Sequence, residues 1–201
     1  MLNQIRPALV MIVLLTILTG IAYPFAMTGI AQGLLPAQAN GSLIKRDDGT
    51  VIGSSLIGQD FTSETYFHGR ISATSGTDPN DPSKSIAQPY NAANSAGSNL
   101  GPTSQALADR VKGDVDALAA QGIHNPPADM VTSSASGLDP DISSANAELQ
   151  IARVAAARNL PADQVRKLVQ AATSGRLLGI IGEPRVNVLR LNMALDGLKT
   201  P

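Results

Sequence analysis

The most apolar stretch of the chain lies near its N-terminus. Residues 7–30 read PALVMIVLLTILTGIAYPFAMTGI, and no charged residue occurs between Arg6 and Lys45. As a helix with a rise of about 1.5 Å per residue, this stretch would be roughly 36 Å long, which exceeds the roughly 30 Å of a bilayer core. The pattern therefore predicts one transmembrane helix over residues 7–30.

Three residues are expected to shape this membrane anchor. Pro7 suits the first helical turn, Tyr23 suits the membrane–water interface, and Pro24 is expected to end or kink the helix. A cleavable signal peptide is the alternative, because residues 37–39 (AQA) resemble a cleavage site. Signal peptides usually have an apolar region of only about 7–15 residues, so an uncleaved anchor is favoured. The short tail, residues 1–6, favours a cytoplasmic N-terminus and an exported remainder.

The rest of the chain is polar and predicts one α+β domain over residues 42–201, joined to the anchor by a linker over residues 31–41. Asp48-Gly49, between two short runs of strand-forming residues, predicts a β-hairpin. Residues 73–102 contain four prolines and many Gly, Asn and Ser residues. Such residues favour turns over regular structure, so a long irregular loop is expected there.

Helical spacing of apolar residues predicts four helices after this loop. They begin near Ser104, Ser144, Pro161 and Asn187, and a short strand is expected over residues 178–181. Gly122 suits the position just after the first helix. The apolar residues at helical spacing are Leu107, Val111, Val115 and Leu118 in the first helix, Leu149, Ile151, Val154 and Ala155 in the second, and Val188, Leu191, Leu195 and Leu198 in the last.

Composition excludes several functional classes. The chain has 201 residues, a formal net charge of −1 and no cysteine. No basic field is present to attract nucleic acid, and thiolate metal sites, disulfides and cysteine nucleophiles are excluded. The two histidines, His68 and His124, are far apart, and a calcium loop starting at Asp139 would have Gln150 where a glutamate is required. No metal site is predicted.

A serine-rich stretch, VTSSASGLDPDIS at residues 131–143, has two interpretations. One is a membrane-anchored exported serine hydrolase that uses serines 133–136 with an acidic partner such as Asp139, although no GxSxG motif is present. The favoured one is a turn leading into a helix, in which Gly137 and Pro140 form a tight turn. The residues assigned to this turn and its cap are Gly137, Asp139, Pro140, Asp141, Ser143 and Ser144.

The glycine-rich stretch NSAGSNLGPTSQ, residues 94–105, precedes a predicted helix, where backbone amides can bind anions. It lacks the Lys-Ser/Thr of a phosphate-binding loop, so contact with a partner protein is favoured over nucleotide binding. The candidate nucleotide contacts are Ser98, Asn99 and Gln105. The candidate partner contacts are Tyr66, Phe67, His68, Arg70, Tyr90, Asn91, Asn94, Ser98 and Asn99.

Several unusual stretches occur in an order that resembles one family, the C subunit of the Kdp-type potassium-transporting ATPase. The resemblance is collinear from the anchor to the C-terminus. The stretches that carry it are GSSLIGQDF (53–61), YFHGR (66–70), YNAANSAGSNLGPT (90–103), VTSSASGLDPDIS (131–143), ARVAAARN (152–159) and GEPRVNVLRLNMAL (182–195).

The resemblance implies an accessory, non-catalytic subunit with a cytoplasmic N-terminus and a periplasmic domain at the cell inner membrane. It implies a complex with a channel-like potassium-binding subunit, a P-type ATPase subunit and a small single-span subunit, in which the partners carry potassium. The family is described as a catalytic chaperone that raises the ATP affinity of the pump subunit. ATP as a ligand is implied by that description alone, and no cofactor is expected for this chain. An exported domain cannot meet cytoplasmic ATP, so a cap over the external mouth of the channel-like partner is favoured.

Overall fold

The structure is a computed structural model that describes residues 2–197. The chain divides into two compact units that meet between Leu43 and Ile44. The first is mainly helical, and the second mixes helices with short antiparallel strands. This arrangement confirms the predicted α+β class with a single N-terminal apolar helix.

One long apolar helix dominates the N-terminal unit. It spans Ile5–Leu34, is 30 residues long, and is apolar enough to cross a membrane. None of its side chains is buried, which suits a surface that faces lipid. In chain order the elements of this unit are a 3₁₀ turn (Leu2–Gln4), α1 (Ile5–Ile17), a π-helical turn (Leu18–Ala22), α2 (Tyr23–Leu34) and α3 (Pro36–Ala39).

Of the two outcomes predicted for Pro24, an end or a kink of the helix, the end is wrong, because α2 continues to Leu34. Pro7 lies in the first turn of α1, and Tyr23 is exposed. A proline inside a helix lacks the N–H group and pushes against the carbonyl four residues earlier. The π-helical turn directly before Tyr23 widens the backbone around that carbonyl. The disturbance expected at Pro24 therefore takes the form of a π-helical turn.

The predicted hairpin around Asp48-Gly49 is confirmed. Strands β1 (Leu43–Lys45) and β2 (Val51–Ser54) pair with each other. The Arg46 N–H donates to the Thr50 carbonyl at 2.9 Å, and Gly49 takes the left-handed φ of +86° that this turn requires.

The predicted loop over residues 73–102 is wrong for its first half. Strands β3 (Ser75–Asp78) and β4 (Asp81–Ala87) form an antiparallel hairpin in which Ser75 faces Ala87. The Asp78 carboxylate accepts the Asn80 N–H at 2.8 Å and so fixes the turn. These strands are built mostly from Ser, Gly, Thr, Asp and Lys, and therefore they lack the apolar alternation by which a strand is recognised.

The remaining helices and strands complete the larger unit. The helices are α4 (Gln105–Ala120), α5 (Ala128–Val131), α6 (Ser144–Arg158), α7 (Ala162–Ala172) and α8 (Val188–Leu195). Strands β5 (Asp141–Ser143), β6 (Thr173–Ser174) and β7 (Arg185–Asn187) form an antiparallel sheet in the order β5-β7-β6. The main apolar cluster contains Phe67, Ile142, Ala147, Ile151, Val154, Ala155, Val165, Val169, Val186, Val188 and Leu191.

The predicted inner faces of the helices are mostly confirmed. Ile151, Val154 and Ala155 of α6 are buried, as are Val188 and Leu191 of α8. Leu195 packs partly buried against the same cluster. The apolar face of α4 is only half-buried, and Gly122 follows that helix with a φ of +82°. Leu198 lies outside the described residues.

Two predictions about apolar residues are wrong. Leu149 is 38% exposed, because it lies about 200° around the helix axis from Ile151 at about 100° per residue. Residues 178–181 form a tight turn instead of a strand, closed by a single bridge between Leu177 and Ile181.

Candidate functional site

The YFHGR segment has no regular secondary structure, yet two helices hold its backbone. The Asn192 side chain on α8 accepts the Phe67 N–H at 2.9 Å and donates to the Phe67 carbonyl at 3.0 Å. The Gln150 side chain on α6 accepts the His68 N–H at 2.8 Å and donates to the His68 carbonyl at 3.1 Å. Two adjacent residues are thus bonded at both backbone groups, much as a neighbouring strand would bond them. We call Gln150 and Asn192 the amide clamp.

Two arginines bond the backbone just before this segment's buried residues. Arg153 donates to the Tyr66 carbonyl at 3.0 Å, and Arg158 donates to the Thr65 carbonyl at 2.6 Å. Arg158 also pairs with Asp196 at 2.8 Å, and its guanidinium carbon lies 4.8 Å from the centre of the Tyr66 ring. Burial lowers the pKa of Arg153. Both cations are therefore occupied by bonds within the domain.

Tyr90 connects the stretch at residues 90–103 to the YFHGR segment. Its hydroxyl donates to the Arg70 carbonyl at 2.7 Å. Its ring fills the space beside Gly58 and Gly69, where an added Cβ would collide with the ring or hydroxyl. Burial, together with the nearby carboxylate of Asp139, raises the pKa of Tyr90 to about 12. The tyrosine is thus a neutral packing and hydrogen-bonding group at physiological pH.

The serine-rich turn faces the domain's own loops. The Gly137 carbonyl accepts the Ser72 hydroxyl at 2.8 Å, and the Ser136 carbonyl accepts the Ala96 N–H at 3.0 Å. Gly137 has a φ of +68°, and a side chain there would meet the Ala96 carbonyl and the Thr74 methyl group. Only glycine meets both constraints. The turn therefore closes a cluster of three loops, residues 63–74, 88–97 and 131–141, which we call the central loop cluster.

The end of the turn is also fastened. Asp139 forms an ion pair with Arg70 at 3.0 Å, and both side chains are partly buried. The Pro140 carbonyl accepts the Val188 N–H at 2.9 Å. These bonds connect the central loop cluster to α8.

Of the residues predicted to cap helix α6, Ser143 does so and Asp141 does not. Ser143 caps the helix by accepting the Asn146 N–H at 3.0 Å. Asp129 supports this cap by accepting both the backbone N–H and the hydroxyl of Ser143, at 2.8 and 2.9 Å. The assignment of Asp141 as a cap is wrong, because it lies in β5, where its carboxylate pairs with Arg185 at 2.9 Å. Burial raises the pKa of Asp141.

The nine predicted partner contacts have different environments. Phe67 is fully buried in the main apolar cluster, so its assignment to a contact surface is corrected. The Asn91 and Asn94 amides donate to the Ser75 carbonyl at 2.8 and 2.9 Å. Asn94 and Asn99 are exposed, while Tyr66, His68, Arg70, Tyr90, Asn91 and Ser98 are partly buried.

His68 borders an open cavity of about 900 Å³ that Leu118, Leu149 and Arg153 also line. Its Nε2 lies 3.1 Å from the Ser63 carbonyl. Burial and the positive charge of Arg153 lower the pKa of His68. The imidazole is therefore held in its neutral form.

The candidate nucleotide residues do not form a cationic site. Gln105 is the first residue of α4, and its amide donates to the Asp109 carboxylate at 2.7 Å. Asn99 has a left-handed φ of +52° and is exposed. A carboxylate beside the helix start opposes phosphate binding, since like charges repel.

Two of the groups that a serine hydrolase would pair have other partners. The Ser136 hydroxyl accepts the Leu138 N–H at 3.1 Å, and the His68 Nε2 lies 3.1 Å from the Ser63 carbonyl. His124 is exposed. Ser136 therefore acts as a turn former in this structure.

Sequence reasoning missed the residues that hold the central loop cluster together. Gln150, Asn192 and Asn146 are buried polar residues on faces that also carry the core apolar residues. Their positions at helical spacing among buried side chains were an available signal, because buried polar groups must be hydrogen-bonded.

Comparisons with known proteins cover both the apolar helix and the larger unit. A family model described as the K⁺-transporting ATPase, c chain, matches residues 5–197. The "Potassium-transporting ATPase KdpC subunit" of Methylorubrum extorquens is 63% identical over 199 residues, 98% of each chain. The subunit of the same name from Bradyrhizobium diazoefficiens is 62% identical over 200 residues, again 98% of each chain. That of Rhodopseudomonas palustris strain BisB18 is 60% identical over 203 residues, 99% of this chain and 100% of its own. This chain belongs to the K⁺-transporting ATPase c-chain family.

Proposed function

We propose that this chain is the non-catalytic accessory subunit of an ATP-driven potassium importer, and that it stabilises the assembly of a channel-like subunit with a P-type ATPase subunit and a small single-span subunit. The observation that carries the proposal is the family match, which covers both the apolar helix and the larger unit at residues 5–197. The relatives that share more than half of its residues are named as subunits of a potassium-transporting ATPase.

The proposed placement is in the cell inner membrane, with an uncleaved anchor, a cytoplasmic N-terminus and a periplasmic domain. The helix Ile5–Leu34 supports the anchor, because it is long enough for a bilayer and exposes apolar side chains all round. Arg6 at its beginning and the short tail before it support the orientation.

The proposed mechanism is recognition by a preformed surface. Ionisable side chains of the central loop cluster are bonded within the domain. Arg70 forms an ion pair with Asp139, and the Tyr90 hydroxyl donates to the Arg70 carbonyl. Loops fixed before binding lose less conformational entropy on association than mobile loops do. Exposed polar residues such as Asn94 and Asn99 then serve as contacts with the mouth of the channel-like partner, over which the domain forms a cap.

The effect on ATP affinity is proposed to be indirect. A periplasmic domain is separated from cytoplasmic ATP by the membrane, so it acts by favouring one conformation of the pump subunit. No cofactor is assigned to this chain, and potassium is carried by its partners.

The test is a truncation that keeps the anchor and removes residues 41–201, expressed with the other subunits in cells that depend on this pump for potassium. We expect loss of potassium uptake, or loss of the complex on purification, while the full chain supports both. Normal uptake and assembly with the truncated chain would contradict the proposal.

A further inference from the structure

An arm projects from the small sheet between β6 and β7. Residues 174–185 leave the domain after Thr173 and return at Val186, and every one of them is exposed. Thr173 pairs with Val186 and Ser174 with Arg185, so the base of the arm belongs to the sheet. We call residues 174–185 the apolar arm.

The tip of the apolar arm carries four large aliphatic side chains within five residues. Leu177, Leu178, Ile180 and Ile181 are 66%, 82%, 75% and 57% exposed. Elsewhere in the described part of the larger unit, up to residue 197, exposed large apolar residues occur singly, at Val51, Leu56, Ile86, Leu100 and Leu149. Single exposed apolar residues need no explanation, but a contiguous apolar patch marks an interaction site.

The tip has a defined shape. The Leu177 N–H donates to the Ile181 carbonyl at 2.9 Å, and the Ile181 N–H donates back at 3.0 Å. Leu178 takes a left-handed φ of +54°, which is costly for a side chain of this size. Strain of this kind persists where the surrounding structure imposes it and is often found at binding sites. The turn presents the Leu178 side chain at its outermost exposed point.

We propose that the tip of the apolar arm inserts into an apolar pocket on the exported face of a membrane-embedded subunit of the same pump. The inference rests on the proposed function, which supplies that partner. The polar surroundings support a protein partner, because Arg176, Glu183 and Arg185 surround the aliphatic tip, and protein interfaces have an apolar centre within a polar rim. The anchor helix also confines the domain near its partner, which raises the effective concentration of the arm.

A lipid surface fits these observations less well. Segments that bind the membrane interface use aromatic rings and free basic side chains. The tip has no aromatic residue, Arg176 is paired with Glu183 at 2.7 Å, and Arg185 is paired with Asp141 at 2.9 Å. A fluid bilayer has no fixed shape to match the defined turn at the tip, whereas a pocket on a protein has one.

The first test uses the absence of cysteine from this chain. Ile180→Cys places one thiol at the tip, and Ala117→Cys places a control thiol on the exposed side of α4. Reaction with a maleimide-polyethylene glycol reagent is followed by the gel shift of this chain. The variants are compared in the purified pump complex, as the full chain alone in phosphatidylglycerol-containing vesicles, and as the full chain alone in detergent.

We expect the Ile180→Cys thiol to react at least about ten-fold more slowly in the complex than in either preparation of the chain alone. The Ala117→Cys thiol calibrates the reagent in each preparation. Protection in vesicles without partner subunits would overturn the proposal in favour of lipid. Protection in detergent that grows with chain concentration would overturn it in favour of a second copy. Equal reactivity everywhere would leave the tip without an occupant and would also overturn it.

The second test is a Leu178→Ser/Ile180→Ser double variant, in which exposed side chains are replaced without altering the core. We expect at least about ten-fold less of this chain to co-purify with the pump subunits at limiting expression, and Val51→Ser to co-purify like the unaltered chain. Equal recovery of the double variant would refute the role of the arm while leaving the proposed function intact. If the unaltered chain itself failed to co-purify, the proposed function would fail instead.

Discussion

The segment 63–70 and the apolar arm both have little regular secondary structure. They differ in burial, because Phe67 of the segment lies in the core whereas the large apolar side chains of the arm are exposed. In the first, polar side chains from α6 and α8 reach over and bond the backbone of Phe67 and His68. In the arm, the large side chains point away from the domain, and the ion pair Arg176–Glu183 joins two residues of the arm itself. A loop can thus be fixed either by hydrogen bonds from neighbouring helices or by hydrogen bonds within its own turn. Only the second way leaves its apolar side chains available for a partner.

We expect the largest loss of stability when the amide clamp, Gln150 and Asn192, is altered. Asn192→Leu removes both bonds to Phe67 and leaves a buried N–H and a buried carbonyl without partners. Each such group costs about 1–3 kcal/mol, so we expect the free energy of unfolding to fall by about 2–6 kcal/mol. Thermal unfolding of the full chain in detergent measures this loss. Asn94→Leu, at an exposed asparagine, is the matched control, and an equal effect of the two substitutions would show that the clamp is not what holds the segment.

A smaller loss is expected where Tyr90 packs against glycine. In Gly69→Ala the new methyl group would collide with the Tyr90 hydroxyl, and overpacking of this kind costs about 1–3 kcal/mol. Tyr90→Phe removes that hydroxyl, so the double variant should lose less stability than the sum of the two single variants. Strictly additive losses in a double-mutant cycle would mean that the two residues do not press on each other.

A pH effect is expected from His68. Because burial and the Arg153 charge lower its pKa in the folded state, the unfolded chain binds more protons at mildly acidic pH. His68 therefore costs stability as the pH falls below its ordinary pKa of about 6.5, at a rate of at most about 1.4 kcal/mol per pH unit. The charged groups that face it are Arg153, Glu64 and Asp60. His68→Gln should flatten the stability profile below about pH 6.5, and an unchanged profile would remove His68 from this account.

The smallest effect on stability is expected in the apolar arm. Leu178→Ser alters an exposed side chain that contributes nothing to the core, so the free energy of unfolding should change by no more than about 0.5 kcal/mol. The same unfolding assay measures it. A loss comparable to that of Asn192→Leu would erase the distinction between the two regions.

Much of the fold could be predicted because apolar periodicity marks buried faces. Ile151, Val154 and Ala155 were placed correctly in this way, and Asp48-Gly49 marked its hairpin by turn chemistry. The β3–β4 hairpin escaped prediction because neither of its faces is buried in a core, so its residues carry no apolar alternation.

The central loop cluster was less predictable. Phe67 looked like a surface contact because its neighbours are polar, but side-chain amides distant in sequence draw the segment into the core. Helical spacing indicates that Gln150 and Asn192 are buried, but it does not indicate which distant backbone groups they bond. The strand prediction over residues 178–181 is wrong for the converse reason, because an apolar run normally indicates burial but these residues are exposed.

We propose that the larger unit acts on the pump from outside the cytoplasm, and the side of the membrane on which it lies can be measured. In this cysteine-free chain, Ala93→Cys places one thiol on the exposed part of the central loop cluster. We expect a membrane-impermeant maleimide to label this variant in intact spheroplasts that import potassium through the complex. Labelling only after the membrane is permeabilised would place the domain in the cytoplasm and contradict the proposed placement.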